Sequence, residues 1–173
     1  MAPEKDALEI HDSTQSMMMG EMCLLVDEHD NIVGSQSKLE CHQGNGLRHR
    51  AFSVLIFDSK GRLLIQKRSS DKITFPGVWA NSCCSHPLDT KEERLDGDGV
   101  KNAAKRKLEQ ELGILSDSTG GWDFHHIGMM EYSCRWDKEW IEREIDHILV
   151  VIADTKINQN RNEISEVLWV DAA

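Results

Sequence analysis

One stretch of this chain repeats its apolar residues at helical spacing. Val100, Ala104, Leu108 and Leu112 recur every fourth residue, so they share one face, and Gly113 supplies the stop. Around it the sequence reads as strands. MCLLVDEHDNIVGSQS, from Met22, predicts a hairpin with its turn at Glu28 to Asn31. Ala51 to Phe57 and Arg62 to Arg68 predict a second hairpin around the DSKG that starts at Asp58. Pro76-Gly77 breaks the chain before a short extended piece, Val78 to Cys84, and Ile127 to Ser133, Ile145 to Ile152 and Ile164 to Val170 read as further strands. Lys38 to His49 and Lys91 to Gly99 read as loops. One prominent helix among hairpin-connected strands predicts an α+β domain. The 173 residues suit a single domain, with 1–20 as an N-terminal arm and 21–173 as the domain proper.

Charge restricts the partners. The net charge of -10 argues against general nucleic-acid binding and against an anionic membrane surface, because both want a basic face. An anionic substrate would need a local cluster of Lys and Arg. The longest apolar run, Ile148 to Ala153, is far too short to span a membrane. The five cysteines are scattered and odd in number, so a disulfide framework is not expected and a reducing, cytoplasmic compartment is. The N-terminal MAPEKDALEI carries three acidic residues and no apolar segment, unlike a secretory signal.

Residues with metal-binding chemistry gather in three places. His42 and His49 flank a short Gly-rich loop, and His86 follows Cys83-Cys84-Ser85. Glu142 and Glu144 sit two apart at the start of a strand, which turns both carboxylates to one face. Imidazoles and carboxylates together suit Mg²⁺, Mn²⁺ or Zn²⁺, and ligand type alone does not separate them. Taken singly, each of these residues also fits an ordinary surface or core position. Cys84 reads either as an inert thiol or as an acid/base group whose pKa is tuned from ~8.5 by nearby charge or metal. Lys38, Arg68, Lys72 and Lys107 lie in four segments. Converging, they would form a positive pocket, with Arg68 as a planar fork on phosphate oxygens and the lysines as point charges.

The helix, GVKNAAKRKLEQELG from Gly99, resembles a degenerate Nudix box. Arg106, Glu111 and Gly113 match, whereas Lys107 and Gln110 stand where the box has glutamates. Nudix hydrolases use several helix carboxylates to hold the metals that activate water, so these two residues run against diphosphate hydrolysis. The wider pattern is more specific. KLECH from Lys38, LRHRAFSVLIF from Leu47, LLIQKRS from Leu63, KITFPGVWANSCCSHPL from Lys72, RKLEQELG from Arg106 and EREIDHILVV from Glu142 together resemble the type I isopentenyl-diphosphate Δ-isomerase family. The resemblance runs from about Glu21 to about Val170.

The resemblance implies a Nudix-like α+β fold, a mixed sheet with flanking helices. It also implies reversible isomerisation of isopentenyl diphosphate to dimethylallyl diphosphate by protonation and deprotonation. Position by position, it implies His42, His49, His86, Glu142 and Glu144 as ligands of one metal ion. Glu111 would help hold a second Mg²⁺ on the substrate diphosphate. Cys84 matches the catalytic thiol, Glu144 the catalytic carboxylate and Tyr132 the tyrosine beside it. Lys38, Arg68, Lys72, Ser85 and Lys107 fall where the family grips the diphosphate. The implied cofactor is Mg²⁺, with Mn²⁺ or Zn²⁺ as alternatives at the His/Glu site. The implied partner is a small diphosphate, and the chain is expected to be a monomer or weak dimer.

Members of that family continue into a helical segment and a Trp that caps the isoprenyl pocket, whereas this sequence stops at Asp171-Ala172-Ala173. A truncated C-terminal helical segment and reduced activity are therefore expected. Two other readings stay open: diphosphate hydrolysis, and a non-catalytic metal- and diphosphate-binding module.

Overall fold

The computed structural model describes Leu8 and residues 11–171. Its elements, in chain order, are α1 (Ser13–Met18), β1 (Met22–Val26), β2 (Ile32–Ser37), α2 (Lys38–His42), β3 (His49–Phe57), β4 (Leu63–Arg68), β5 (Trp79–Ala80), β6 (Cys83–Ser85), α3 (Gly99–Leu112), α4 (Ser116–Thr119), β7 (His125–Arg135), β8 (Ile141–Ile152) and β9 (Ile164–Val170). The fold is α+β: a mixed sheet with flanking helices. β3 is the hub, pairing antiparallel with β1, β4 and β6 and parallel with β8. β7 and β9 lie outside it, antiparallel to β8 and β4.

The helix face read from the sequence is the core face. Val100, Ala104, Leu108 and Leu112, joined by Ala103, pack on Phe52, Val54 and Ile56 of β3 and on Leu149 and Val151 of β8. Each fully buried Leu, Ile or Phe here stabilises the fold by about 1.5–3 kcal/mol. The helix ends at Gly113, whose φ of 65° is left-handed and whose N–H donates to the Glu109 carbonyl. A Cβ at Gly113 would stand 2.4 Å from the Asn158 carbonyl oxygen, so a side chain there is excluded sterically as well. That close approach ties the loop before β9 to the helix end: Asn158 and Asn160 donate to the Leu112 and Glu111 carbonyls at 2.8 Å.

Several segments differ from the sequence reading. Lys38–His42, expected as loop, is a helix of little more than one turn, capped by Ser37 Oγ, which accepts from the Glu40 N–H. An element so short leaves no periodicity to read. Val78 to Cys84 is not one extended piece but two strands, β5 and β6. β7 and β8 run longer than expected, so Glu142 and Glu144 both lie within β8. Part of the expected N-terminal arm, α1, docks on the domain. Gln15 is buried and donates to Asn162 Oδ1 at 2.8 Å, and Met19 joins a small core with Ile73 and Trp140. Residues 1–7, 9 and 10 of that arm lie outside the described residues. Among the described residues, no helix is long and apolar enough to cross a membrane.

Candidate active site

Four elements bring their polar residues to one point. His42 ends α2, His49 opens β3, His86 follows β6, and Glu144 lies on β8 directly beside His49 in the parallel register. Glu144 Oε1 stands 2.8 Å from His86 Nε2, 3.4 Å from His49 Nε2 and 3.9 Å from His42 Nε2. One ligand atom from each of the four residues lies within 4.8 Å of the others, and all four residues are buried.

The second nitrogens explain the orientation. His42 Nδ1 donates to the Lys38 carbonyl and His49 Nδ1 to the Leu47 carbonyl, each at 2.7 Å. A carbonyl only accepts, so Nδ1 carries the proton, and in the neutral ring Nε2 presents its lone pair inward. Among the described residues, both Nε2 atoms are buried without a hydrogen-bond partner. Orphaned imidazole nitrogens converging on a carboxylate are a donor set that suits a divalent metal ion.

The charges agree with ligation. Burial, with His86 and His49 nearby, holds His42 well below the usual histidine range, and burial pushes His86 down to about 4. Both are therefore neutral, as ligands must be. Burial would raise Glu144, but the imidazoles of His49 and His86 set against it win and hold it well below the carboxylate range. His49 moves the other way, because Glu144 outweighs its burial and draws a proton to it. A cation at the centre would take that proton's place.

A pocket opens beside this cluster. Its walls include Lys38, Arg68, Lys72, Cys84, Ser85, Glu111, Tyr132 and Glu142. Strand alternation separates the two adjacent thiols: Cys83 is in the core, whereas Cys84 faces the pocket. Burial, helped by Glu111, Glu142 and Glu144 against Arg68, pushes the Cys84 thiol up to about 12. Tyr132 lies opposite Glu144 in the β7–β8 register, and its hydroxyl donates to Glu144 Oε2 at 2.6 Å. Glu142 faces the same pocket, outside the four residues whose candidate ligand atoms lie within 4.8 Å of one another. Its Oε2 stands 3.2 Å from the Tyr132 hydroxyl, and burial together with Glu144 raises it to about 7.

The basic residues divide. Arg68 Nε donates to the Phe75 carbonyl at 2.9 Å and its Nη2 to the Thr74 carbonyl at 2.7 Å, so the Thr74–Phe75 backbone fixes the guanidinium. Phe75 adopts a φ of 49° in that turn, a left-handed conformation unusual for a bulky residue. Lys72 Nζ bonds Glu163 Oε2 at 2.5 Å, and burial with Arg68 nearby pushes Lys72 down to about 8. Lys107, expected with the diphosphate-gripping residues, is not in the pocket wall. It is buried, and its ammonium lies 3.1 Å from Glu111 Oε1, its i+4 neighbour on α3. Gln66 holds the other oxygen of Glu111 at 3.1 Å. Glu111 thus sits in the pocket wall with its charge compensated from behind, and Lys107 acts on the pocket only through it.

Two pocket-side residues escaped the sequence reading. Asp146 extends the Glu142–Glu144 stripe by one more step of two and lines the pocket. Its Oδ2 accepts from Ser53 Oγ at 2.8 Å, while Oδ1 is buried without a partner among the described residues. The period-two pattern was signal enough to find it. Glu163 had no such signal, because it comes from an irregular loop and is recognisable only by its contacts with Lys72, Gln110 and Gln15.

Similarity to known proteins follows these lines. Residues 47–173 match the NUDIX domain family. Among solved structures, DR0079 of Deinococcus radiodurans superposes with a TM-score of 0.63 at 19% identity, covering 87% of this chain and 83% of that one, which speaks to the fold alone. Isopentenyl-diphosphate Delta-isomerase II, chloroplastic, of Arabidopsis thaliana is 44% identical over 161 residues, covering 89% of this chain and 57% of the relative. Isopentenyl-diphosphate Delta-isomerase I of Camptotheca acuminata is 42% identical over 167 residues, covering 92% and 71%. The chain thus spans little more than half the length of the Arabidopsis relative. With the family match extending over most of the fold and identity above 40% to relatives of one kind, the chain belongs to the type I isopentenyl-diphosphate Δ-isomerase family of the Nudix superfamily.

Proposed function

We propose that this chain isomerises isopentenyl diphosphate to dimethylallyl diphosphate. The observation that carries the proposal is one pocket in which a protonated thiol, Cys84, and an ionised carboxylate with its tyrosine, Glu144–Tyr132, share walls with Arg68, Lys72 and Lys38. The substrate alkene is unactivated. A proton added to its terminal carbon leaves a tertiary cation, and loss of a proton from the carbon nearer the diphosphate moves the double bond. The reaction is reversible, so two groups must each hold a proton in one direction and release it in the other. At neutral pH, Cys84 retains its proton and Glu144 lacks one. Tyr132, raised far above its usual range by burial and by Glu144 and Glu142, keeps its hydroxyl proton and holds Glu144 in place.

Arg68, Lys72, Lys38 and Ser85 are assigned to the diphosphate, which brings the charge that the acidic chain as a whole would repel. In this reading His42, His49, His86, Glu142 and Glu144 hold one divalent ion, with Mg²⁺, Mn²⁺ or Zn²⁺ as its identity. Glu111 helps hold a Mg²⁺ on the diphosphate. These ions would fix Glu144 and neutralise phosphate charge. With all five cysteines free, the same reading places the chain in a reducing cytoplasmic setting, as a monomer or weak dimer.

The test is conversion of isopentenyl to dimethylallyl diphosphate with Mg²⁺ present, followed by product analysis. Turnover without release of phosphate or pyrophosphate is expected, because Lys107 and Gln110 stand in for helix carboxylates that hydrolysis would use. Binding without turnover would favour the non-catalytic module instead. A pH signature is also expected. Lys72 loses its charge as pH rises through about 8, so kcat/KM, which reports the free enzyme, declines above that point.

A further inference from the structure

The opposite face of β8 carries an arrangement that isomerisation does not use. His147 follows Asp146, so it points away from the Glu142–Glu144–Asp146 stripe, into a second cleft lined by Asp30, Arg50, Asp96, Lys101 and His126. Arg50 Nε donates to Asp30 Oδ1 at 2.8 Å, and Arg50 Nη2 donates to the Asp30 carbonyl at 2.5 Å. Asp30 has a left-handed φ of 64° in the β1–β2 turn, a conformation Asp accepts more readily than most residues. Its other carboxylate oxygen, Oδ2, accepts from His147 Nε2 at 2.9 Å. A carboxylate only accepts, so a proton is on Nε2, and in that tautomer the lone pair is on Nδ1. That atom lies 3.2 Å from His126 Nε2. His126 comes within reach because β7 is bulged between His126 and Gly128.

Two imidazole nitrogens bound to one tetrahedral Zn²⁺, each about 2.0–2.1 Å from it, stand about 3.3 Å apart. The His126–His147 spacing suits that, and a carboxylate fixing the far nitrogen is the usual support of a metal-ligating histidine. The rest of the cleft selects the class of ligand. Asp30 and Asp96 offset Arg50 and Lys101, so no excess of carboxylate favours Mg²⁺ or Ca²⁺, which take oxygen ligands. The Arg50 guanidinium is already engaged by Asp30, which argues against an anion. We propose that His126 and His147 form a second metal site for an imidazole-binding transition-metal ion such as Zn²⁺, with water completing the coordination and Asp30 orienting His147.

The experiment measures Zn²⁺ binding to the full chain by calorimetry and by metal analysis after gel filtration. His126 is exposed, so His126→Ala is expected to fold normally and to leave isopentenyl diphosphate turnover unchanged. Wild type should bind one more Zn²⁺ per chain than His126→Ala, and His147→Gln should lose the same ion. Asp30→Asn should keep the stoichiometry but weaken that site by about 10–100-fold. Equal stoichiometry and affinity in wild type and His126→Ala would overturn the proposal and leave the pair as a hydrogen bond between β7 and β8. Because the readout is metal bound and not product formed, it stands apart from the isomerase reading.

Discussion

Cys84→Ala is expected to lower kcat by about 10²–10⁴-fold, the usual contribution of a positioned acid/base group. KM for isopentenyl diphosphate and the content of bound metal should change little. The reasoning is local. Cys84 faces the pocket but is not one of the clustered His/Glu ligands, so truncation leaves the metal cluster intact. Its thiol is pushed up to about 12, so at neutral pH it is a proton carrier and not a thiolate nucleophile or ligand. Removing it takes away a proton station and one small half-buried sulfur, while the core contacts of Cys83 next to it are untouched. Steady-state kinetics with thermal melting as the folding control make the check. Full activity in the variant would remove Cys84 from the mechanism even if the isomerase reading stood.

Local pattern made parts of this architecture legible, and long-range pairing hid the rest. Every fourth residue of α3 is apolar, and Gly113 marks its end, so the core helix could be read directly. The two-residue spacing of Glu142 and Glu144 fixed their shared face regardless of where β8 would sit. The same rule reaches Asp146, two residues beyond Glu144, whose partner Ser53 comes from a different strand. The candidate ligands of the His/Glu cluster could be picked out by residue type, but their convergence was implied only through resemblance. Its four residues come from four elements, and their meeting depends on the parallel β3–β8 pairing, a contact between distant segments for which no local signal exists. Lys107 shows the converse. Its sequence position suggested a ligand-facing cation, but α3 places it one turn from Glu111 in a buried wall, where neutralising that carboxylate outweighs exposure to the pocket.

Glu144→Gln is expected to be the most damaging single change to the site, because Glu144 has three roles at once. It accepts from Tyr132, it accepts from His86, and it supplies the negative charge around which the imidazoles gather. The amide keeps the shape but removes the charge, so metal content and kcat should both collapse, the latter by at least the ~10²–10⁴-fold of an acid/base loss. Stability should fall too, by about 3–5 kcal/mol for a buried charge pair broken on one side, measured by denaturation of metal-free protein at pH 7. The pH dependence has a definite sign. Glu144 is held below its unfolded value of 4.5, so its stabilisation is present above that pH and disappears as pH falls through the lower folded value. The gap between wild type and Glu144→Gln should therefore close in acid. Glu142→Gln provides the contrast. Glu142 is raised to about 7, so at neutral pH it is already partly protonated, and the same substitution should cost less stability and weaken metal binding less. Two carboxylates one strand step apart, pushed in opposite directions by their neighbours, is the condition for different roles. If Glu142→Gln abolished turnover while Glu144→Gln kept it, the assignment of the acid/base role to Glu144 would be overturned.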